Sequence, residues 1–206
     1  MQKNSIQFFG LPGSGKTTIL KELVKRFPNS YVLPPRFKRL KRFTLVVLFI
    51  FRFPKISFIF IFLIFKNPIK LWGYIFHLIS LSFATHVYVL NQKNKNIFLI
   101  DEGIAQRLLS VASRKFTLNE SEKYIKLISK INSPIILTSG GNFSRFEIEL
   151  DRMTSKRNIL GNKYYKNWSE NLSYNFSLLS EEVKKSGQYF IAGDIEKLHQ
   201  DIQNLR

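Results

Sequence analysis

The sequence predicts an α/β fold of three layers, in which a central five-stranded parallel sheet lies between helices and carries a helical insertion after its second strand. Five short apolar runs alternate with segments of helical periodicity, which is typical of a parallel sheet with right-handed crossovers. The runs are Ser5–Phe9, Ser30–Leu33, Ile97–Ile100, Pro134–Thr138 and Gln188–Ala192. The chain between the second and third runs is basic and rich in phenylalanine. We therefore expect one domain over residues 1–206, with a helical insertion at 36–90.

The first run leads into the loop GLPGSGKTT, residues 10–18, which fits the pattern G-x-x-x-x-G-K-[ST] of a phosphate-binding loop. Glycines in the loop remove side chains where a phosphate chain must approach the backbone, and the exposed amides then form an anion nest. The alternative is a glycine-rich turn that binds nothing, but all four fixed positions and both flanking segments agree with the pattern. The expected nucleotide-binding residues are Gly10, Pro12, Gly13, Ser14, Gly15, Lys16, Thr17 and Thr18.

Each polar side chain at the end of this loop has an expected role. Lys16 is predicted to reach the β- and γ-phosphates, and Thr18 to contact the α-phosphate. The hydroxyl of Thr17 is predicted to ligate magnesium, a hard cation that prefers oxygen. The helix that begins near Lys16 adds the positive end of its dipole. The loop therefore predicts binding of ATP, or another nucleoside triphosphate, together with Mg²⁺.

The third apolar run ends in an acidic pair, Asp101 and Glu102, followed by Gly103. A carboxylate at the end of a parallel strand beside a phosphate loop is where the magnesium of a nucleotide is held. We expect Asp101 to hold the magnesium, directly or through water, and Glu102 to orient or deprotonate the attacking group. The alternative is a strand end followed by a helix N-cap, without a metal.

The net charge of +18 is concentrated in one part of the chain. Between Leu23 and Ile100 there is no aspartate or glutamate, whereas thirteen lysines and arginines lie there. This favours anionic partners, either phosphorylated metabolites, anionic lipid or nucleic acid, and nucleic acid is the least favoured because no recognisable motif for it is present. The lack of cysteine excludes disulfides and thiolate metal sites, and three scattered histidines argue against zinc. No secretory signal precedes the first strand, so we expect a cytoplasmic protein.

Two apolar blocks at 43–51 and 56–65 dominate the insertion, and Arg52, Phe53, Pro54 and Lys55 separate them. Each block is shorter than a membrane span, and joining them would place charges at the bilayer centre at a cost of at least ~2.5 kcal/mol each. We expect two helices that meet at Pro54. They either pack on the core or lie on an anionic membrane surface, and spanning is the least favoured alternative.

The remaining segments predict helices and caps. A largely buried helix is expected over 69–90, with His77 and His86 as buried histidines, and Gln106 and Arg107 are expected to face a bound acceptor. A capping box of Thr117 and Glu120 should begin another helix. The segment 143–157 is either a surface helix with mixed charges or a basic lid over the phosphates, and 158–167 is expected to be a polar connection. A helix should follow through Lys185, and Asp194 should cap the last helix.

The motifs together resemble the adenylate/thymidylate-kinase-like branch of P-loop proteins, which phosphorylate nucleotides, nucleosides or other small hydroxyl compounds. The resemblance covers most of Ser5–Glu22 and Ile97–Leu205, and it rests on GLPGSGKTT, FLIDEG, DRMTSKR and FIAGDIEKLHQDI. It implies the three-layer P-loop fold, a lid that brings Arg152 and Arg157 to the transferring phosphoryl group, and an adenine-side loop at Gly193 and Asp194. The acceptor-site signatures usual in that family are absent, because the segment 36–90 replaces the ordinary acceptor-binding region.

The resulting expectation is a Mg²⁺-dependent phosphotransferase acting from ATP on a small hydroxyl or phosphate acceptor. Lys16, Glu102, Arg152 and Arg157 are its expected catalytic residues, Thr17 and Asp101 its metal ligands. The alternative is a P-loop ATPase attached peripherally to the inner face of the membrane and associated with envelope or polysaccharide assembly. A glutamate that follows the magnesium-binding aspartate also suits activation of water, so hydrolysis remains open.

Overall fold

The computed structural model describes residues 5–93, 96–131, 133–138, 162–187 and 189–204. In these residues five parallel strands form one sheet, and eight α-helices and one short 3-10 helix surround it. The strands are β1 (Ser5–Gly10), β2 (Tyr31–Val32), β3 (Ile97–Ile100), β4 (Ile135–Thr138) and β5 (Tyr189–Ile191). Their order across the sheet is β2-β3-β1-β4-β5. The predicted α/β class, with its five-stranded parallel sheet, is therefore confirmed.

Among the described residues, three α-helices follow β2 and two follow β3, whereas one α-helix follows each of the other strands. The helices are α1 (Lys16–Arg26), α2 (Arg39–Arg52), α3 (Pro54–Phe65), α4 (Ile69–Leu90), α5 (Ile104–Val111), α6 (Leu118–Ile128), the 3-10 helix (Ser129–Ile131), α7 (Asn162–Lys185) and α8 (Ile195–Gln203). Helices α2, α3 and α4 thus form the insertion that the sequence predicts after the second strand.

Both faces of the sheet are covered because side chains alternate along each strand. Ile6 and Phe8 of β1 point to one face, where they pack with Leu20 and Leu23 of α1 and with residues of α8. Phe9 points to the other face, in a larger core formed with helices α2 to α7. The fold therefore has a helical layer, the sheet and a second helical layer.

The chain leaves the central strand β1 towards the face covered by α1, and it leaves the neighbouring strand β3 towards the opposite face, covered by α5. Connections that diverge in this way open a crevice beyond the carboxyl ends of the two strands, which is where ligands bind in open parallel sheets. Residues 11–17 follow β1 and Asp101 follows β3, so both lie at this crevice.

The insertion turns sharply between its first two helices. Helices α2 and α3 meet at an angle of 112° across Phe53, and Pro54 is the first residue of α3. Each helix buries one side, with Leu45, Val46 and Phe49 of α2 in the core. The predicted pair of helices meeting at Pro54 is confirmed, and the two do not form one straight helix.

Helix α4 is less enclosed than the sequence suggests. Its second half is buried, and His86 lies there without exposure, as predicted. Its first half is partly open, because Ile69, Phe76 and His77 are exposed. In the described part of the chain, α4 is the one unbroken helix long and apolar enough to cross a membrane, but half of that stretch is buried against the rest of the protein.

Helix α7 begins earlier than predicted, since residues 162–167 are helical where the sequence suggested a connection. Trp168, Leu172, Leu179 and Val183 recur at helical spacing and are all buried in the core, so the buried side of the helix accounts for its length. The predicted capping box of Thr117 and Glu120 at the start of α6 is confirmed.

Candidate phosphate-binding site

The loop after β1 has the backbone shape that its glycines permit. Gly13 and Gly15 adopt φ of 76° and 83°, the left-handed region that favours glycine. Gly10 is required for a different reason, because a Cβ atom there would lie 1.9 Å from Oγ1 of Thr138 and 2.5 Å from Oγ of Ser14. Those two hydroxyls are hydrogen bonded to each other at 2.7 Å, which fastens the loop to the end of β4.

Lys16, at the first position of α1, is folded back over the loop. Its Nζ atom donates to the carbonyl oxygens of Gly10, at 2.9 Å, and Leu11, at 2.7 Å. Burial lowers the pKa of Lys16 from 10.5 to about 8, and the nearby charges of Asp101 and Glu102 oppose that shift. The amine is therefore a desolvated cation with two carboxylates close by, at the mouth of the crevice.

The N-terminus of α1 is arranged to receive an anion. Its N-cap residue is Gly15, so no side chain caps the first amides, and the first turn contains no acidic residue. The positive end of the helix dipole and the amides of the first turn consequently face the loop without a negative side chain of their own.

The acidic residue predicted to hold magnesium lies directly opposite the loop. The Thr17 hydroxyl donates to Oδ2 of Asp101 at 2.9 Å, which joins residues 84 positions apart in the sequence. The other carboxylate oxygen, Oδ1, is buried and has no hydrogen-bond partner among the described residues. A buried carboxylate oxygen without a partner costs free energy unless a cation or a donor satisfies it.

These oxygens suit a magnesium ion that is shared with phosphates. Within the described residues no group of three or more histidine, cysteine, aspartate or glutamate side chains could hold a metal alone. Magnesium in nucleotide sites is bound by one or two protein oxygens, with phosphates and water completing its shell. The hydroxyl of Thr17 and the carboxylate of Asp101 fit that donor set.

The side chain of Glu102 has a different hydrogen-bond partner from that of Asp101. Its side chain is 53% exposed, and Nη2 of the buried Arg107 donates to its Oε2 atom. The Nε of Arg107 donates to Oγ of Ser82, at 3.2 Å, and that hydroxyl donates to the carbonyl of Glu102, at 2.6 Å. Because Ser82 belongs to α4, the insertion contacts the acidic pair directly.

Two side chains predicted to face an acceptor have other positions. Gln106 is buried, and its Oε1 accepts a hydrogen bond from the backbone N–H of Gly10, at 3.1 Å, so it supports the start of the loop. Arg107 is buried in its contacts with Glu102 and Ser82. The expectation that these two side chains face the acceptor is therefore wrong: the short helix α5 is buried along nearly all of its length.

Three residues that support the site were not predicted from the sequence: Gln7, Ser82 and Thr138. Gln7 is fully buried and accepts from the N–H of Ala105, at 3.1 Å, while it donates to the carbonyl of Ser133, at 3.2 Å. The side-chain amide of Gln7 within the apolar run SIQFF could have indicated this role, because a buried amide must be hydrogen bonded. Ser82 and Thr138 gave no comparable signal, because serine and threonine occur in every kind of element.

The other predicted residues are distributed as follows. Thr18 is exposed on α1. Gly193 and Asp194 follow β5, two strands from β1 at the same edge of the sheet, and Asp194 caps α8 by accepting from the N–H of Lys197 at 3.0 Å. Arg152 and Arg157 lie outside the described residues, so their role in a lid stays a prediction.

The loop, the helix N-terminus, Lys16 and the Thr17–Asp101 pair thus meet at one crevice of a parallel α/β sheet. Comparisons with protein-family models, with curated proteins and with solved structures found no match to this chain.

Proposed function

We propose that this protein binds a magnesium-bound nucleoside triphosphate in the loop of residues 10–18 and transfers its γ-phosphoryl group to a small hydroxyl or phosphate acceptor. In this proposal the chain is a P-loop phosphotransferase related to the adenylate/thymidylate-kinase-like proteins. The observation that carries the proposal is the hydrogen bond between Thr17 and Asp101, with the desolvated amine of Lys16 beside them. If the loop were a glycine-rich turn that binds no ligand, there would be no reason for Thr17, Asp101 and Lys16 to lie together.

Different residues of the loop would bind different parts of the triphosphate. The amides at Gly13, Gly15 and the first turn of α1 would bind the phosphate oxygens, and Lys16 would turn from the loop carbonyls to the β- and γ-phosphates. This exchange of hydrogen-bond acceptors should cost little free energy, because the amine is already desolvated. It would also replace two neutral carbonyl oxygens by anionic phosphate oxygens. Thr17 and Asp101 would hold the magnesium, which neutralises charge on the phosphates when bound.

The chemical step requires a proton acceptor and positive charge. The acceptor oxygen loses its proton to Glu102 and forms a bond to the γ-phosphorus, while the bond from that phosphorus to the β–γ bridging oxygen breaks and releases the nucleoside diphosphate. Arg107 is the positioning residue for Glu102, and Arg152 with Arg157 would cover the charge on the γ-phosphoryl oxygens.

The first experiment measures nucleotide binding. Calorimetry with Mg-ATP and Mg-GTP should give heat of binding for the wild type, and Lys16→Ala should weaken the affinity by roughly a hundredfold because a partly buried cation that would contact the phosphates is lost. Lys25→Ala is the matched control, since Lys25 is an exposed lysine on the same helix. Absence of binding by the wild type, or an unchanged affinity in Lys16→Ala, would show that the loop does not bind a triphosphate.

The second experiment identifies the reaction. Radiolabel in the γ-phosphate should move to a member of a panel of nucleosides, nucleotides, sugars and lipid-linked sugars, and Glu102→Gln should slow that transfer more than it weakens nucleotide binding. Hydrolysis without transfer to any acceptor would instead support the ATPase alternative and contradict phosphoryl transfer, while leaving the nucleotide site intact.

A further inference from the structure

Helix α3 is apolar on the side that faces solvent as well as on the side that faces the core. Ile56, Phe60 and Leu63 are buried. The opposite side carries Phe58, Ile61, Phe62 and Phe65, which recur at helical spacing and are exposed, with Phe58 70% and Phe65 62% accessible. We call these four residues the α3 stripe. A water-facing helix side is normally polar, so a continuous row of this kind indicates a surface that something else covers.

Helix α2 presents similar side chains. Leu40, Phe43 and Phe51 are exposed on it, and Phe51 is 81% accessible. The two helices meet at Phe53, so both sets of exposed apolar side chains belong to the insertion. Isolated exposed apolar residues are ordinary, but several on each of two consecutive helices are more than such scatter accounts for.

A groove beside the α3 stripe combines apolar walls with lysines. It has a volume of about 650 Å³ and lies between α3 and α6, with Pro54, Phe58, Ile59 and Leu127 as its apolar lining. Four lysines complete the lining: Lys55, Lys123, Lys126 and Lys130. Among the described residues that line the groove, none is acidic. A site with an apolar floor and several ammonium groups is complementary to a molecule with apolar chains and an anionic head.

Charge over the whole insertion has the same sign. Residues 36–90 contain nine lysines and arginines and no acidic residue. A second copy of this chain would bring the same positive charges to the interface, so self-association through this patch would be opposed by repulsion. An anionic bilayer surface matches both the charge and the phenylalanine side chains, which insert to a depth of about 5–10 Å in interfacial helices.

We propose that the α3 stripe and the lysine-lined groove beside it dock this protein on an anionic lipid bilayer. The helices lie in the membrane interface and do not cross it, because α2 and α3 have 14 and 12 residues and meet at 112°, whereas a spanning helix needs about 20 apolar residues. The phenylalanines enter the boundary between head groups and acyl chains, and Lys55, Lys123, Lys126 and Lys130 contact lipid phosphates.

Flotation with vesicles tests this proposal on the full chain. The wild type should float with phosphatidylcholine vesicles that contain phosphatidylglycerol at low salt, and it should float poorly with phosphatidylcholine alone or at high salt. Phe58→Ser combined with Phe62→Ser should reduce the partition coefficient at least about tenfold, because two aromatic side chains that would insert into the bilayer are lost. Leu118→Ser is the matched control, since Leu118 is 65% accessible but lies outside the insertion and the groove.

A second pair of variants tests the lysines. Replacing Lys55, Lys126 and Lys130 by glutamine should also reduce partition at least about tenfold, since each lysine near the surface contributes roughly fivefold. Replacing Lys25, Lys166 and Lys197 by glutamine removes the same charge elsewhere and should change partition by less than about threefold. Far-UV circular dichroism checks that each variant folds. If the phenylalanine variant does not fold, the proposal is tested by the flotation of the lysine variant, whose substituted side chains are exposed.

Several results would overturn the proposal. Wild-type protein that does not float, or that floats equally with neutral and anionic vesicles, would exclude an anionic bilayer as the partner. Phenylalanine and lysine variants that are folded and float like the wild type would exclude this surface. A wild-type dimer that becomes monomeric in the phenylalanine variant, without flotation of either, would assign the stripe to a second copy of the chain. None of these results depends on nucleotide binding.

Discussion

At the scale of single residues, Lys16 is the group whose charge the site controls most. Its pKa is lowered to about 8 by burial, so the amine begins to lose its proton just above neutral pH. Bound phosphates favour the charged form, and binding above pH 8 must therefore take up a proton. We expect the dissociation constant for Mg-ATP to be nearly constant below about pH 7.5 and to rise up to about tenfold per pH unit above about pH 8. Calorimetry across this range in buffers of different ionisation enthalpy measures both the affinity and the proton uptake.

Lys16→Met provides the control for this pH dependence, because it should bind nucleotide weakly at every pH without the rise above pH 8. The same variant tests the folded-state pKa without a ligand. The folded pKa lies below the unfolded value of 10.5, so the wild type should gain stability as the pH rises from about 8 to about 10.5, and Lys16→Met should lack that gain. A wild-type affinity and stability that do not change over this range would show that the amine is not desolvated.

The residues that meet at the candidate site could be selected from the sequence, whereas their supports could not. Fixed spacing singled out Lys16 and Thr17, a carboxylate after an apolar run singled out Asp101, and the structure brings the three together. The predicted orientation of Gln106 and Arg107 was wrong, since a short helix enclosed on most sides has no open side that its sequence could reveal. Long-range contacts of Ser82 and Thr138 depend on how the elements pack, which local patterns do not determine.

At the scale of elements, the turn from β3 to α5 sets the position of the acidic pair. Gly103 lies against Gln7, and a Cβ atom at Gly103 would be 2.3 Å from Oε1 and 2.6 Å from Cβ of Gln7. Gly103→Ala must displace that side chain and disturb its bonds to Ala105 and Ser133. We expect a loss of about 2–3 kcal/mol in the free energy of unfolding, measured by urea denaturation.

Gly73→Ala is the matched control for this substitution. Gly73 lies within α4, and a Cβ atom there would meet nothing within 4 Å. The same change should stabilise the protein by about 0.5–1 kcal/mol, because alanine is the better helix former. Equal effects of the two substitutions, of whatever sign, would mean that the packing of Gly103 on Gln7 does not hold the turn.

Element boundaries followed the sequence where a strong local rule applied. The helix over 69–90, the helix break at Pro54 and the cap at Thr117 were all predicted correctly, because proline and capping side chains act on adjacent backbone. Exposure was predicted less well, as the open first half of α4 shows. Apolar composition normally indicates burial. Hydrophobicity alone therefore predicts too much burial for a helix that is apolar on both sides.

At the scale of the whole molecule, the insertion is joined to the sheet domain through a buried asparagine. Asn67, between α3 and α4, donates through Nδ2 to the carbonyl of Val111 in α5, at 2.9 Å, and its Oδ1 accepts from the hydroxyl of Tyr164 in α7, at 3.1 Å. Its own carbonyl accepts from Nε1 of Trp72, at 2.8 Å. One side chain therefore ties the insertion to two helices of the layer on the sheet.

These contacts predict that the insertion unfolds together with the sheet rather than as a separate unit. Trp72 reports on the insertion and Trp168 on α7, so their fluorescence and the far-UV circular dichroism should give one midpoint in urea. Trp72→Phe, which leaves Trp168 as the reporter, should show the same coincidence. Asn67→Ala should lower all midpoints together and reduce the free energy of unfolding by about 2–3 kcal/mol, because the buried carbonyl of Val111 loses this hydrogen bond. Loss of the Trp72 signal before the circular dichroism would instead show that the insertion opens independently, and membrane docking could then be accompanied by its rearrangement.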